Sequence, residues 1–258
     1  MHQDNRNCSR TRTAYFDSNL ARESYLPMSR RDKTLSLRNG HPMVLPSMLL
    51  CDFANLAQEV KRLESAGFKA LHLDVMDGVF VPNFSYGMTI INAFHQCTDL
   101  PLDVHLMMEG PENYIQQFHQ AGADSITFHI EAVEDAVAVV HQIHELGMAA
   151  GVAIDRDTPV SAIAEVASQV DLILVMTIKA GFGGQSFIPE LLEKLLAIRE
   201  LAGEGPILQV DGGVNVGTIG QCVEAGAEWM VVGSGVFKQA DYGEAHRQLL
   251  QPFCAEQG

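Results

Sequence analysis

The strongest constraint on the fold is a regular alternation of short apolar runs with longer amphipathic segments, which begins at Met43 and continues almost to the C-terminus. Eight of the runs are typical of buried β-strands, and segments with helix start signals lie between them, including a helix predicted over Pro159–Ala167. Strands that alternate with helices pair in parallel through right-handed crossovers. We therefore expect an α/β fold made of a single (β/α)8 TIM barrel, with an open doubly wound sheet as the alternative. The predicted strands are Val44–Met48, Ala70–Val75, Leu102–Leu106, Ser125–His129, Ala149–Ile154, Leu172–Met176, Ile207–Val210 and Trp229–Val232.

The first 42 residues lack this alternation. They are polar and hold eight basic and four acidic residues, whereas the rest of the chain holds nine basic and 28 acidic ones. We expect residues 1–42 to be a disordered extension, or a non-native leader if translation begins at Met43, and residues 43–258 to form the barrel. The acidic residues disfavour an organellar transit peptide, and the lack of an apolar segment disfavours a secretory signal.

The composition argues against several classes of function. A net charge of −15 disfavours nucleic acid as a partner, because DNA and RNA are bound by basic surfaces. No run approaches the roughly 20 apolar residues of a membrane span, so no membrane partner is expected. The five cysteines are scattered and form no C-x-x-C pair, which indicates reduced thiols in a cytoplasmic protein.

Polar residues stand where the predicted strands end, which is where a (β/α)8 barrel places its active site. His72 and Asp74 are two positions apart on one strand, so their side chains share a face. Asp103 and His105 close the next strand at the same spacing, and Asp211 ends the seventh. Two further candidates near strand ends are Ser47 and Met176.

Two histidines and two aspartates at one mouth of a barrel predict a metal site. Imidazole and carboxylate together suit one divalent ion per subunit and do not discriminate between Zn²⁺, Fe²⁺, Mn²⁺ and Co²⁺. The alternative for any single histidine is a hydrogen-bonded residue of the core, whereas a carboxylate on a buried face needs a partner. The predicted ligands are His72, Asp74, His105 and Asp211.

Glycine-rich turns follow the last three predicted strands, at Gly181–Gln185, Asp211–Gly213 and Gly233–Gly235. Glycine exposes backbone N–H groups to an anion, and the loops after strands seven and eight commonly bind phosphate in this architecture. The alternative for each cluster is a tight turn between strand and helix. Three successive clusters favour a phosphate site.

A metal ion, a phosphate site and two carboxylates suggest proton transfer on a phosphorylated ketose. A divalent ion on the ketone stabilises the enediolate that forms when the neighbouring C–H loses its proton. Two carboxylates on opposite faces could remove a proton from one side and return one on the other. The predicted reaction is epimerisation.

Five motifs follow one another along the chain: Pro46-Ser47-Met48-Leu49, His72-x-Asp74-x-Met76-Asp77-Gly78-x-Phe80-Val81-Pro82-Asn83, Asp103-Val104-His105-Leu106-Met107, Gly181-Phe182-Gly183-Gly184-Gln185-x-Phe187-Ile188-Pro189 and Val210-Asp211-Gly212-Gly213. These motifs resemble those of the ribulose-phosphate 3-epimerase family, and the likeness covers residues 43–242. The resemblance implies a (β/α)8 barrel that interconverts D-ribulose 5-phosphate and D-xylulose 5-phosphate.

The same resemblance implies a role for each matching residue. Asp74 and Asp211 would be the acid/base pair as well as metal ligands, together with His72 and His105. His105 and Ser47 would also contact the substrate. The apolar cap of the pocket would be Met76, Met107 and Met176. The phosphate-binding residues would be Gly181, Phe182, Gly183, Gly184, Gly212, Gly213, Gly233 and Ser234.

The chain departs from the family pattern at Lys179-Ala180, Cys51 and Gly235, which leaves the choice of substrate open. A six-carbon ketose phosphate such as D-allulose 6-phosphate is the nearest alternative. A phosphosugar-binding paralogue without turnover and a metal-dependent hydrolase are further ones. We expect Lys179, which stands just before the glycine loop, either to support phosphate binding or to be an ordinary solvated residue. A homo-oligomer is also expected.

Overall fold

The computed structural model describes residues 28–181 and 185–254. Its eight strands are all parallel and form one sheet in the order β1-β8-β7-β6-β5-β4-β3-β2. A parallel bridge between Ser47 and His72 joins β1 to β2, so the sheet curls into a nearly closed barrel. The predicted (β/α)8 barrel is confirmed. The strands are β1 (Met43–Pro46), β2 (Leu71–Met76), β3 (Leu102–Met107), β4 (Ser125–His129), β5 (Ala149–Ile154), β6 (Leu172–Met176), β7 (Ile207–Asp211) and β8 (Trp229–Val232).

Helices occupy most of the connections between strands, as the start signals predict. The segment between β5 and β6 differs, because the helix predicted over 159–167 is reduced to a 3₁₀ turn at Val160–Ile163. Its β-branched residues and Ser161 lower the helix propensity of this short segment. Within the described ranges, no helix is long and apolar enough to cross a membrane. The helices are α1 (Arg30–Leu35), α2 (Leu56–Ser65), α3 (Met88–Cys97), α4 (Ile115–Ala121), α5 (Ala136–Glu145), α6 (Glu193–Ala202), α7 (Ile219–Glu224), α8 (Ser234–Phe237) and α9 (Tyr242–Cys254).

Strand β2 shows how the sequence pattern divides the core into two layers. Leu71 and Leu73 belong to the apolar layer that includes Ile91 and Phe94 of α3. His72 and the other even-numbered residues of β2 lie on the opposite face, inside the barrel. The alternation therefore buries apolar groups against the helices and leaves polar side chains to converge on the barrel axis.

The prediction that residues 1–42 are disordered is wrong for residues 28–42; residues 1–27 lie outside the described residues. Helix α1 packs on the N-terminal end of the barrel, where its basic side chains pair with carboxylates that stand just before β4 and β6. Arg31 binds Asp171 at 2.8 Å, and Lys33 lies 3.2 Å from Asp124. These partners are distant in sequence, so no local pattern in the segment reveals the packing.

Candidate active site

The carboxyl ends of the strands surround a cleft of about 250 Å³. This cleft brings together residues that are far apart in the sequence, among them most of the predicted site residues. Phe182, Gly183 and Gly184 lie outside the described residues. A larger depression of about 650 Å³ lies on the outer surface beside α2 and α9, away from the strand ends. The predicted residues that line the cleft are Ser47, Asp74, Met76, Met107, Met176, Gly181, Asp211, Gly212, Gly213, Gly233 and Ser234.

The four predicted metal ligands converge beside this cleft. One possible donor atom from each of His72, Asp74, His105 and Asp211 lies within 4.8 Å of the others. Asp74 Oδ1 is 3.3 Å from His72 Nε2 and 3.2 Å from His105 Nδ1. Asp211 Oδ2 is 3.6 Å from His105 Nδ1 and 3.9 Å from His72 Nε2. Atoms that bind one ion at about 2.1 Å lie up to about 4.2 Å apart, so these pairs have a suitable spacing.

Strand register explains the convergence. Asp74 and His105 are direct neighbours in the pairing of β2 with β3. Because side chains two positions apart share a face, His72 joins them from the same strand as Asp74. Asp211, the last residue of β7, pairs with Met176 and reaches the group from another part of the barrel.

The electrostatics of this group favour a cation. Burial opposes charge on His72, but Asp74 and Asp103 outweigh it and raise the pKa of His72 well above its usual value. The pKa of His105 is also raised against the effect of burial, by Asp211 and Asp74. The two histidines lower the pKa of Asp74, although burial alone would raise it. The carboxylates therefore stabilise positive charge between them, either as protons on the histidine rings or as a metal ion.

A second observation fits a metal ion. His72 Nε2 is fully buried, and its 3.3 Å approach to Asp74 Oδ1 lacks the geometry of a hydrogen bond, so it has no hydrogen-bond partner among the described residues. A buried ring nitrogen without a partner is costly in a folded protein, and a metal ion would use its lone pair. The described residues therefore fit one divalent ion, and the donor set does not identify which.

The two aspartates occupy different environments. The Asp74 side chain is 5% exposed and accepts a hydrogen bond of 2.6 Å from Ser47 Oγ. The Asp211 side chain is 15% exposed. Ser47 therefore contacts a carboxylate of the site while it also lines the cleft.

Asp103 does not line the cleft, although in the sequence it lies only two positions before the predicted ligand His105. Its carboxylate lies deeper in the barrel, where Oδ2 is 2.8 Å from His72 Nδ1. Ser125 and Gln209 donate further hydrogen bonds to it at 2.7 and 2.8 Å. Because a carboxylate accepts the Nδ1 proton of His72, the Nε2 lone pair is left to face the site.

Sequence reasoning missed His129 and Glu131. His129 ends β4, and its Nε2 lies 2.9 Å from His105 Nε2. Its Nδ1 lies 3.0 Å from Glu131 Oε2. The rule that singled out polar residues at strand ends applies to His129 as well, so that signal could have found it. Burial lowers the pKa of the His129 ring.

The three predicted methionines form an apolar wall of the cleft. Met76 and Met107 are neighbours in the pairing of β2 with β3, and Met176 pairs with Asp211. All three are almost completely buried and belong to one apolar cluster inside the barrel. They therefore fill the core and shape the cleft with the same side chains.

Gly212 and Gly213 are required by the turn after β7. Both have positive φ values, of 119° and 70°. A Cβ at Gly212 would lie 2.3 Å from the Ile178 side chain, and one at Gly213 would lie 2.8 Å from the Phe187 backbone nitrogen. Steric fit thus explains glycine at both positions, and the turn also lines the cleft.

Lys238, which sequence analysis did not single out, lines the cleft. Lys238, at the end of α8, lies among the lining residues with Ser234 and Gly213. Lys179 is exposed, and it is absent from the described lining of the cleft. No ion pair involves Lys238 in the parts of the chain that the structure describes.

Comparison with known families agrees with this geometry. The sequence profile of the ribulose-phosphate 3 epimerase family matches residues 43–237. The chain belongs to the ribulose-phosphate 3-epimerase family. It is accordingly an enzyme of the isomerase class, and the resemblance noted from the motifs is confirmed.

Individual relatives cover most of this chain. The ribulose-phosphate 3-epimerase of Bacillus subtilis (strain 168) is 45% identical over 210 residues, which are 80% of this chain and 97% of the relative. The chloroplastic ribulose-5-phosphate-3-epimerase of Arabidopsis thaliana is 44% identical over 208 residues, covering 79% of this chain and 74% of that one.

Solved structures of other proteins share the fold at low sequence identity. Orotidine 5'-phosphate decarboxylase from Pyrococcus horikoshii OT3 superposes with a TM-score of 0.59 at 19% identity. The match covers 82% of this chain and 99% of that structure. At this identity the likeness supports the barrel fold alone.

Proposed function

We propose that this chain interconverts D-ribulose 5-phosphate and D-xylulose 5-phosphate by a metal-dependent 3-epimerase mechanism. The observation that carries the proposal is the buried group of His72, Asp74, His105 and Asp211 beside a cleft at the strand ends. Epimerisation at C3 needs one group to remove a proton and another to deliver a proton to the opposite face. Two carboxylates in one group supply both functions.

Asp74 and Asp211 are suited to act from different sides of the substrate. Asp74 belongs to β2 and Asp211 to β7, and β1 and β8 lie between these strands in the barrel. Their side chains therefore reach the cleft from separate directions. One carboxylate removes the C3 proton to leave an enediolate, and the carboxylic acid form of the other returns a proton to the other face.

One divalent ion, Zn²⁺, Fe²⁺, Mn²⁺ or Co²⁺, would supply the positive charge that stabilises the enediolate oxygens. The residues that would hold it are His72, Asp74, His105 and Asp211. Ser47 donates to Asp74 and fixes the orientation of that carboxylate, so that the acid/base group is positioned before substrate arrives.

The phosphate end of the substrate is assigned to the turns that follow β7 and β8. Gly212 and Gly213 follow β7, and Gly233 and Ser234 follow β8. Loops after strands seven and eight bind phosphate through backbone N–H groups in many barrels of this class. The methionines would cover the carbon chain between this end and the carboxylates, and His105 would lie near the reacting atoms.

Two alternatives remain for the experiment to separate. The departures at Lys179-Ala180, Cys51 and Gly235 leave a six-carbon ketose phosphate such as D-allulose 6-phosphate as a second substrate. A phosphosugar-binding protein without turnover would keep the cleft and lack the reaction. The homo-oligomer and the cytoplasmic compartment stay predictions, and the name of the Arabidopsis relative shows that another compartment occurs in the family.

Turnover of the two substrates, measured side by side, tests the proposal. We expect epimerisation of D-ribulose 5-phosphate to exceed that of D-allulose 6-phosphate in kcat/KM, and to disappear after chelation and return with a divalent ion. Metal content is measured in the same samples. Preference for the six-carbon substrate would replace the proposed substrate, and activity that survives complete metal removal would reject the metal-dependent mechanism.

A further inference from the structure

A hydrogen-bonded chain leads from His105 away from the cleft. His105 Nε2 lies 2.9 Å from His129 Nε2, and His129 Nδ1 lies 3.0 Å from Glu131 Oε2. Both histidines are completely buried, and the Glu131 side chain is 25% exposed. These hydrogen bonds therefore link His105, a proposed metal ligand, to the carboxylate of Glu131, which is not one of the proposed ligands.

The direction of the hydrogen bonds follows from the carboxylate at the outer end. A carboxylate can only accept, so Nδ1 of His129 carries the proton that is donated to Glu131. A neutral His129 then has a lone pair on Nε2 and must accept from His105. His105 accordingly carries a proton on Nε2, and in its neutral form its Nδ1 has a free lone pair. That Nδ1 is the atom facing Asp74 and Asp211.

Other contacts hold Glu131 and His129 in place. Glu131 Oε1 accepts the backbone N–H of Asp155 at 2.8 Å. The ring of Phe80 packs against His129, with ring centres 4.8 Å apart. Glu131 therefore presents one particular oxygen to His129, and His129 has little freedom to turn away.

The two proposed histidine ligands are supported differently. His72 meets a carboxylate, that of Asp103, directly through Nδ1. The Nε2 atom of His105, by contrast, is linked to the carboxylate of Glu131 through a second imidazole, that of His129. The proton position on His105 therefore depends on a residue two hydrogen bonds away. A substitution at Glu131 can therefore change the proton position on His105 without any substitution among the proposed ligands.

We propose that His129 and Glu131 are positioning residues for the metal site, which keep the proton of His105 on Nε2 and its Nδ1 lone pair directed at the ion. This inference rests on the metal site of the proposed function. Groups that orient metal ligands in this way typically affect metal affinity about 10- to 100-fold.

The substitution Glu131→Gln tests the proposal with almost no change in shape. The Asp155 N–H needs an acceptor, so the amide oxygen takes that position and the NH₂ group faces His129 Nδ1. Two donors would then meet unless the His129 proton moves to Nε2, and that proton would in turn conflict with the Nε2 proton of His105. Metal binding through His105 Nδ1 must therefore break one hydrogen bond in the variant.

Binding of Co²⁺ to the metal-free proteins is followed by its visible absorption. We expect Glu131→Gln to weaken Co²⁺ binding about 10- to 100-fold, while the metal-free variant stays folded and unfolds in a single cooperative thermal transition. The matched control is Glu228→Gln, because the Glu228 side chain is also 25% exposed but lies at the other end of the barrel. This control is expected to bind Co²⁺ like the unsubstituted protein.

A nitrogen-15 NMR measurement of the histidine rings gives a second, metal-free readout. We expect His129 to carry its proton on Nδ1 in the unsubstituted protein, with the signal assigned by its loss in His129→Gln. Equal Co²⁺ affinity in Glu131→Gln, or an Nε2 proton on His129 in the unsubstituted protein, would overturn the inference. Failure of the unsubstituted protein to bind Co²⁺ would instead reject the metal site of the proposed function.

Discussion

At the scale of single residues, the two aspartates have the same chemistry but different surroundings. Asp74 is nearly buried, lies close to both histidines and accepts a hydrogen bond from Ser47. Asp211 is more open and lies further from the rings. The site is therefore asymmetric, and the two carboxylates can be tested separately.

Replacing either aspartate by asparagine removes a charge and a proton acceptor at nearly constant volume. We expect Asp74→Asn and Asp211→Asn each to abolish measurable epimerisation, because each proton transfer needs its own carboxylate. One variant is expected to retain exchange of the C3 proton with solvent from its remaining face. A coupled assay measures turnover, and NMR in deuterated water measures exchange.

Both aspartates are also proposed ligands, so metal content must be determined in each variant. Loss of activity with the metal retained would support the acid/base assignment. Substantial epimerisation in either variant would reject it. Loss of metal together with activity would show that the residue is needed to bind the metal.

Lys238 is the lysine whose removal should weaken substrate binding. It lines the cleft beside Ser234, in a protein with a net charge of −15. We expect Lys238→Gln to raise KM several-fold at nearly constant kcat, because a phosphate is bound alike in the ground and transition states. The effect should shrink as salt screens the charge. Steady-state kinetics at low and high ionic strength measure the rise in KM and its dependence on salt.

Lys179→Gln, assayed in parallel, tests the role expected for Lys179 from the sequence. Its exposed position outside the described cleft lining favours a smaller effect than that of Lys238→Gln. Lys61→Gln on the exposed surface of α2 is the charge-matched control. A KM for Lys238→Gln that equals the control at low salt would show that Lys238 does not contact the substrate.

At the scale of elements, α1 shows how a short helix can be stabilised without a local signal. It has six residues, too few for an isolated helix to be stable in water. Arg38, just after it, forms two hydrogen bonds with Glu228 at 2.7 and 2.9 Å. The basic residues before Met43 are therefore matched to acidic residues at the N-terminal end of the barrel.

Two truncations test whether this segment contributes to stability. We expect removal of residues 1–42 to lower the melting temperature by several degrees relative to removal of residues 1–27. The longer deletion removes Lys33 from the buried Asp124 and Arg31 from the buried Asp171. A loss of about 1 kcal/mol corresponds to roughly 2–4 °C in a domain of this size. Differential scanning calorimetry makes the comparison.

Turnover should be the same in both truncated proteins, because α1 lies at the end of the barrel opposite the cleft. Equal melting temperatures would show that the contacts of α1 do not stabilise the fold. That result would agree with the disordered extension expected from the sequence alone. A loss of activity without a loss of stability would contradict the assignment of a purely structural role to this segment.

At the scale of the whole molecule, acid should destabilise the fold partly through Glu131. Burial opposes the charge of Glu131, but hydrogen bonds with His129, Thr158 and the Asp155 backbone prevail and lower its pKa from 4.5 to about 2. A carboxyl group with a lowered pKa stabilises the folded state above its unfolded pKa. That contribution is therefore complete above about pH 4.5 and is lost as the pH falls towards about 2.

The free energy of unfolding should accordingly fall more steeply with acidification in the unsubstituted protein than in Glu131→Gln. Urea unfolding of both proteins in metal-free form, at several values between pH 6 and pH 3, measures the difference. The gap between the two proteins should narrow as the pH falls. A gap that stays constant over this range would show that Glu131 titrates alike in the folded and unfolded states.

The sequence by itself determined the architecture and most of the residues at the site. The eight strands were predictable because their apolar runs alternate with helical segments. The convergence of His72, Asp74, His105 and Asp211 was predictable because parallel strands bring their carboxyl ends to one mouth. Their roles as ligands followed from residue type and position, their acid/base roles came from family resemblance, and both stay predictions. The helix predicted at 159–167 failed because its local propensity was weak.

Only the tertiary structure decided which groups support and surround that site. Asp103 orients a ring rather than lining the cleft, Glu131 connects to His105 through His129, and Lys238 rather than Lys179 is among the described lining residues. Helix α1 likewise depends on carboxylates far along the chain. Periodicity reports the face on which a side chain lies, but hydrogen-bond partners and ion pairs depend on distances between separate strands and helices, which become fixed only when the barrel closes.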